Sequence, residues 1–345
     1  MKKSIFLAFF FLVSCSSAPI ENSSIEDLEA QDEIVTSSTN KVPDEVRVHV
    51  SVITHSEEYK KTGSEPDYVN DEDAFWSARK NVVNFAEMLH EEGVKYNYQS
   101  DWTFLLAATK FDKGDESTNG KNFLRYLKED LGFEIDPHAH ESEYSYADVA
   151  YLINELGVEP SNTAGGYIAS PANRSKLEYL WEPVKGRIYK YTWQAEILWG
   201  GGTANHVDEE ELWYSGIWRP KSDEQTTVND DNAGLINVGR YKSGWDALDY
   251  LLEQDLKPGK IYTLGVMGHQ RELDSTFIEE FRTQIQKFKK DERIVWTGLA
   301  EVVEIWKKDY SSEANMLKYD GLIEEDSAGF GGGGNQFLKN KLMNN

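Results

Sequence analysis

The chain of 345 residues contains one cysteine, Cys15. No disulfide can form within it, so stability has to come from a packed core. Basic residues are also scarce, with 36 Lys and Arg against 60 Asp and Glu and a formal charge of -24. Such a surface repels phosphate backbones, and without a concentrated basic patch nucleic-acid binding is excluded. Long hydrophobic runs are missing too: the nine residues Ile5 to Val13 fall well short of the roughly 20 that span a bilayer as a helix. No repeat of fixed period is present. The glycine run Gly200-Gly201-Gly202 lacks the Lys and Ser/Thr of a phosphate loop and no apolar helix follows it, so it is not read as a nucleotide site and His206 behind it reads as a loop residue. What is there, 39% hydrophobic and 28% charged residues, is the composition of a folded globular protein. The length accommodates two domains, or one large α/β barrel with appendages.

The two ends read as peripheral. Lys2 and Lys3 precede the apolar run, and small residues follow it, the pattern of a removable export signal over residues 1–14. Leu12-Val13-Ser14-Cys15 resembles the lipobox of bacterial lipoproteins, which implies lipidation of Cys15 and an exported protein held to the cell envelope by its lipid anchor alone. Residues 15–45 are rich in Ser, Thr, Asn, Glu and Asp, too polar to offset the entropy of ordering, and read as a flexible tether. Gly329 to Gly334 marks residues 311–345 as a Gly-rich peripheral tail.

Between these ends, over residues 46–310, strand and helix signals alternate. Val46 to Thr54 is β-branched; Phe75, Ala78, Val82, Phe85, Ala86 and Leu89 then fall on one helical face before Gly93. Further strands are expected at Val94–Tyr98, Gly132–Ile135, Ile261–Met267 and Arg293–Trp296, with apolar runs at Ala195–Trp199, Tyr214–Trp218 and Leu235–Val238 and helical segments between. Strands joined by helices favour parallel pairing with right-handed crossovers. The expected fold is α/β, a distorted (β/α) barrel of seven or eight strands.

In such barrels the site lies at the C-terminal ends of the strands. Thr54-His55-Ser56-Glu57-Glu58 follows the first strand, Asp136-Pro137-His138-Ala139-His140-Glu141 the third, and His269 a late one. Two imidazoles at i and i+2 of an extended segment point the same way. His138 and His140, with a carboxylate such as Glu57 and with His55 nearby, therefore make a candidate divalent-metal set with a position left open for water. Trp199 and Trp218, with Trp193 and Trp213 close in sequence, are candidates for stacking on sugar faces.

These motifs resemble the polysaccharide deacetylases of the glycoside hydrolase/deacetylase superfamily. The resemblance covers about residues 46–307. It is carried by Phe133-Glu134-Ile135-Asp136-Pro137-His138, by Met267-Gly268-His269, and by the closing strand Ile294-Val295-Trp296 that leads through Thr297-Gly298-Leu299 to Trp306. It implies a distorted seven-stranded barrel in which one acid and two His hold a divalent metal, zinc with cobalt or manganese as alternatives, and a metal-dependent removal of N- or O-acetyl groups from a carbohydrate. Carried over, His138 is the first metal His and His269 the acid for the leaving group; Asp136 or Glu57 would take the proton of the attacking water. The chain departs from the family at three places. Ile53-Thr54-His55-Ser56-Glu57 stands where the family has T-F-D-D-G, so Glu57 or Glu58 replaces the metal Asp. Ser142 stands at the usual second His, leaving His140 as the substitute. Ala164-Gly165-Gly166-Tyr167 stands in place of R-x-P-Y, with Arg219 as the candidate cation from another strand. The negative charge favours neutral or cationic glycans as substrate. Two alternatives stay open: a glycan-binding lipoprotein on a barrel without activity, and a glycosidase using a carboxylate pair among Glu57, Asp136, Glu196 and Asp208. The oligomeric state is not legible.

Overall fold

The computed structural model describes residues 43–58, 65–168, 177–201, 213–239 and 244–318. Cys15, the export signal, most of the tether, His206, Asp208 and the Gly-rich segment 329–334 lie outside the described residues. No helix among the described residues is long and apolar enough to cross a membrane.

The strands in chain order are β1 (Arg47–His55), β2 (Tyr96–Ser100), β3 (Glu134–Pro137), β4 (Thr163–Ile168), the short pair β5 (Val184–Lys185) and β6 (Thr192–Trp193), then β7 (Ile197–Gly201), β8 (Trp213–Trp218), β9 (Pro220–Ser222), β10 (Gln225–Asn229), β11 (Ile236–Val238), β12 (Ile261–His269), β13 (Ile294–Trp296) and β14 (Asn315–Lys318). The main helices are α1 (Glu72–Glu91), α2 (Trp102–Phe111), α3 (Tyr146–Glu155), α4 (Trp245–Glu253), α5 (Ser275–Phe288) and α6 (Leu299–Asp309).

β1 is the centre of the fold. It pairs in parallel with β12 along its whole length, from Arg47 against Ile261 to His55 against His269. Its other edge is divided: Val48–Val50 pairs with β13 and Val52–His55 with β2, both in parallel. β2 in turn carries β3. The alternation in β1 explains its two faces, since successive side chains point to opposite sides. Val48, Val50 and Val52 join the core under the helices, while Ile53 packs on Trp199, Ile217 and Trp306 in a second cluster. α1 supplies the helical side with Phe75, Val82, Phe85, Ala86 and Leu89 buried and Ala78, the sixth residue of the expected face, half-buried against them.

A second sheet has the order β14-β8-β11-β7-β4. Here β4, β7 and β11 are parallel, but β8 runs antiparallel to β11 and β14 antiparallel to β8. On one side the two sheets are joined by a parallel bridge, His138 with Gly165, and by the Ser161 amide donating to the Ile135 carbonyl at 2.9 Å. At the far margin Thr263 of β12 holds β8 through its side chain, accepting from the Gly216 amide at 3.0 Å and donating to the Gly216 carbonyl at 2.9 Å. The fold is α/β with a parallel central sheet, as expected, but among the described residues the ladder does not close into the expected barrel, because side chains rather than paired backbones span that last seam. Beyond α6, Asn315–Lys318 forms the outer strand of the second sheet, antiparallel to β8.

Candidate metal centre

Three elements bring the site together at the C-terminal ends of β1, β3 and β12. The parallel register sets His55 directly beside His269, and their rings lie 4.8 Å apart with His55 Nε2 3.0 Å from His269 Nδ1. His138 and His140 leave the end of β3 on the same side, ring centroids 4.9 Å apart and planes at 84°. The His138 ring sits 4.7 Å from that of His55. In the middle is Glu57, with Oε1 3.1 Å from His55 Nε2 and Oε2 2.8 Å from His140 Nε2 and 4.0 Å from His138 Nε2.

The neighbours hold these groups in place. His138 Nδ1 is 2.9 Å from the Gly165 carbonyl, which directs Nε2 toward Glu57. The close approach requires glycine at the end of β4: Gly166 has φ +61°, and a Cβ there would fall 2.5 Å from His138 Cε1. Glu141, at φ 54°, is wholly buried; it accepts from the Tyr146 amide at 2.9 Å and is ion-paired to Arg187. Arg187 also donates to the Glu141 carbonyl at 2.7 Å, so the hairpin of β5 and β6 braces the loop that carries His140. That hairpin is tied in turn to Asp148, which accepts from the amides of Arg187, Ile188 and Tyr189.

Burial dominates the electrostatics. It pushes the Glu57 carboxyl up, but the surrounding imidazoles, His55 first, outweigh it and hold Glu57 far below the usual carboxylate range. Burial lowers His55 and takes His269 down to about 3, the latter with help from His55 and Arg271. Burial lowers His138, but the negative charge of the nearby Glu57 carboxylate outweighs it, and its pKa is raised.

The donor set fits a divalent cation. Ligand atoms of His55, Glu57 and His138 all lie within 4.8 Å of one another, and His138 Nε2 is buried without a hydrogen-bond partner. A buried ring nitrogen whose opposite nitrogen is fixed by a backbone carbonyl is the usual arrangement of a metal-ligating histidine. Two imidazoles and a carboxylate suit zinc and related ions.

The structure thus brings together His55, Glu57, His138, His140 and His269. Asp136 lies below them, at the level of Gln99, with its oxygens accepting from Ser161, from Asn97 at 2.8 Å and from Gln99 at 3.2 Å. Burial, then the charge of Glu134, push it up to about 7. The expected substrate residues are not brought to the site. Trp199 is 0% and Trp218 2% exposed, so neither offers a ring face to a sugar. Arg219 follows β8, whose antiparallel course carries its C-terminal end away from the histidines; its guanidinium donates to the Ala233 carbonyl at 3.0 Å and stacks on Trp306. The aromatic border is instead made by half-buried Trp102, stacked on Tyr144 at 4.4 Å and donating to Glu58 at 3.1 Å. Asp101, just after β2, was also missed by the sequence reading, although its strand-end position is the same signal that marked His55.

No family model and no curated protein matches the chain. Among solved structures, 4-alpha-glucanotransferase from Thermococcus litoralis superposes with a TM-score of 0.43 at 14% identity, over 79% of this chain and 42% of that one. The chain therefore spans less than half the length of that protein. Puue allantoinase gives a TM-score of 0.45 at 12% identity, over 81% of this chain and 98% of the other. A probable polysaccharide deacetylase from Pseudomonas aeruginosa gives 0.47 at 12% identity, over 77% and 92%. Superpositions this loose transfer no activity, and the functional argument rests on the site itself.

Proposed function

We propose that the protein is a metal-dependent hydrolase that removes N- or O-acetyl groups from a carbohydrate, and that it works as an exported lipoprotein anchored through Cys15. The observation that carries the first part is the convergence of His55, Glu57, His138, His140 and His269, from three strand ends, on one point. A divalent ion held by His55, Glu57 and His138 would polarise the acetyl carbonyl and make water a better nucleophile near neutral pH.

The chain's own groups then have defined tasks. Glu57 balances the imidazoles and fixes His55 and His140. His269, beside His55 at the end of β12, is assigned the proton transfer: it takes a proton from the attacking water and returns it to the sugar. In the balanced step the water oxygen bonds to the acetyl carbon and the C–N or C–O bond to the sugar breaks. Acetate leaves, and the proton ends on the sugar amine or hydroxyl. Half-buried Trp102, backed by Tyr144, supplies the aromatic surface on which a sugar ring can stack.

The test is acetate release from a panel of acetylated oligosaccharides with zinc, cobalt, manganese and no added metal. Release that requires metal and disappears in His138→Ala is the expected result. Absence of acetate under every metal, with glycans still retained in a pull-down, would replace this reading with that of a tethered glycan-binding protein.

A further inference from the structure

The histidine cluster leaves one buried acid beside it unexplained. Asp101 is wholly buried. Its Oδ1 caps α2, accepting from the Thr103 amide at 2.9 Å and the Thr103 hydroxyl at 2.6 Å. Its Oδ2 is buried with no hydrogen-bond partner, and no Lys or Arg pairs with Asp101 among the described residues. Helix capping accounts for one oxygen only. Carboxylate oxygens of Asp101 and Glu58 and a ring nitrogen of His140 lie within 4.8 Å of one another. Glu58 is buried as well, its Oε1 accepting from Trp102 at 3.1 Å and from Ser142. Two buried carboxylates this close repel unless a proton or a cation is shared between them.

This group adjoins the first one. Glu57 reaches both, with Oε1 at 3.1 Å from His55 Nε2 and Oε2 at 2.8 Å from His140 Nε2. We propose that Glu58, Asp101 and His140 form a second divalent-cation site next to His55, Glu57 and His138, with the Glu57 carboxylate facing both. Two carboxylates and one imidazole make the harder donor set of the two, matched to manganese or zinc with water completing the coordination. Paired ions of this kind sit about 3.5 to 4 Å apart. The proposal goes beyond the hydrolase reading and does not depend on the acetyl substrate.

The test uses the full chain and Mn²⁺ alone, with bound ions counted by equilibrium dialysis and the electron paramagnetic resonance spectrum recorded at saturation. The wild type should bind two ions with a spectrum broadened by their coupling. Asp101→Asn keeps the Oδ1 acceptor that caps α2 and should lose one ion, or weaken it at least tenfold, while the other stays. His138→Ala should lose the complementary ion. Glu58→Gln, which keeps the oxygen taken by Trp102 and Ser142, should repeat the Asp101→Asn result and stands in for it if that variant fails to fold. One Mn²⁺ in the wild type, unchanged in Asp101→Asn and Glu58→Gln, would overturn the second site, the gap then being filled by a proton. Loss of that single ion in His138→Ala would leave the first metal assignment standing. A single ion lost in Asp101→Asn and kept in His138→Ala would instead uphold the second site and remove the first.

Discussion

His138 stands against Gly166, and only the missing side chain lets it do so. A Cβ on Gly166 would meet His138 Cε1 at 2.5 Å and Nδ1 at 2.6 Å, with His55 Nδ1 at 3.6 Å. Gly166→Ala should therefore turn the His138 ring away from Glu57. We expect metal affinity to fall about 10- to 100-fold and stability to fall by about 1 to 3 kcal/mol, read by metal titration and thermal unfolding. Gly93 is the control: its φ of +63° is similar, but nothing lies within 4 Å of a Cβ there. Gly93→Ala should carry the backbone cost alone and leave metal affinity unchanged; equal metal loss in both variants would refute the steric explanation.

His269 should matter for turnover and little for metal retention. Proton transfer by a positioned side chain contributes about 10² to 10⁴ in rate, so His269→Ala should lower acetate release by that order with metal content intact. If the variant arrives without metal, His269 is a ligand, and the proton-transfer role has to be reassigned.

His49 sets an acid limit on stability. It lies on β1 beside Thr263, buried, with neither ring nitrogen hydrogen-bonded. Burial, then the charge of Arg47, lower its pKa to about 4 from 6.5. Below pH 6.5 the unfolded chain gains a proton that the folded one refuses, so this contribution is complete above pH 6.5 and is lost as the pH falls toward 4. Its size is about 3 kcal/mol. Urea unfolding at pH 7 and pH 4.5 should show a smaller acid loss in His49→Gln than in the wild type. Parallel curves for the two proteins would mean that His49 carries no such linkage.

The anchor is tested at Cys15. Growth with a labelled fatty acid should label the wild type, and Cys15→Ser should release the protein from membranes or leave it unprocessed. An unlabelled wild type ends the lipoprotein reading.

How much of this could be read from the sequence varies with the range of the interaction. His138 and His140 were legible because a two-residue period in an extended segment fixes the shared side locally, and the rings do lie 4.9 Å apart. The helical face of α1 was legible for the same reason. The direction of β8 was not: an apolar run specifies a strand but not whether it runs with or against its neighbour, and the antiparallel β8 is what takes Arg219 away from the histidines. The burial of Trp199 and Trp218 followed from the same long-range packing, since a tryptophan at a strand end reads alike whether it faces core or solvent. Gly165 and Gly166, which stand where the resemblance would place R-x-P-Y, carry a signal of their own. Paired glycines in a strand mark a place where another group comes close, and here that group is His138.

The bridge between His138 and Gly165 joins the two sheets on that side, together with the Ser161 amide, which donates to the Ile135 carbonyl at 2.9 Å, and His138 also donates its own amide to the Ser100 carbonyl at 3.3 Å. The residue that would grip an ion is thus the residue that rivets two halves of the fold together. Occupancy should be felt as stiffness: slowed hydrogen exchange at the amides along β3 and β4 when metal is bound, and faster breathing of that seam when it is stripped away.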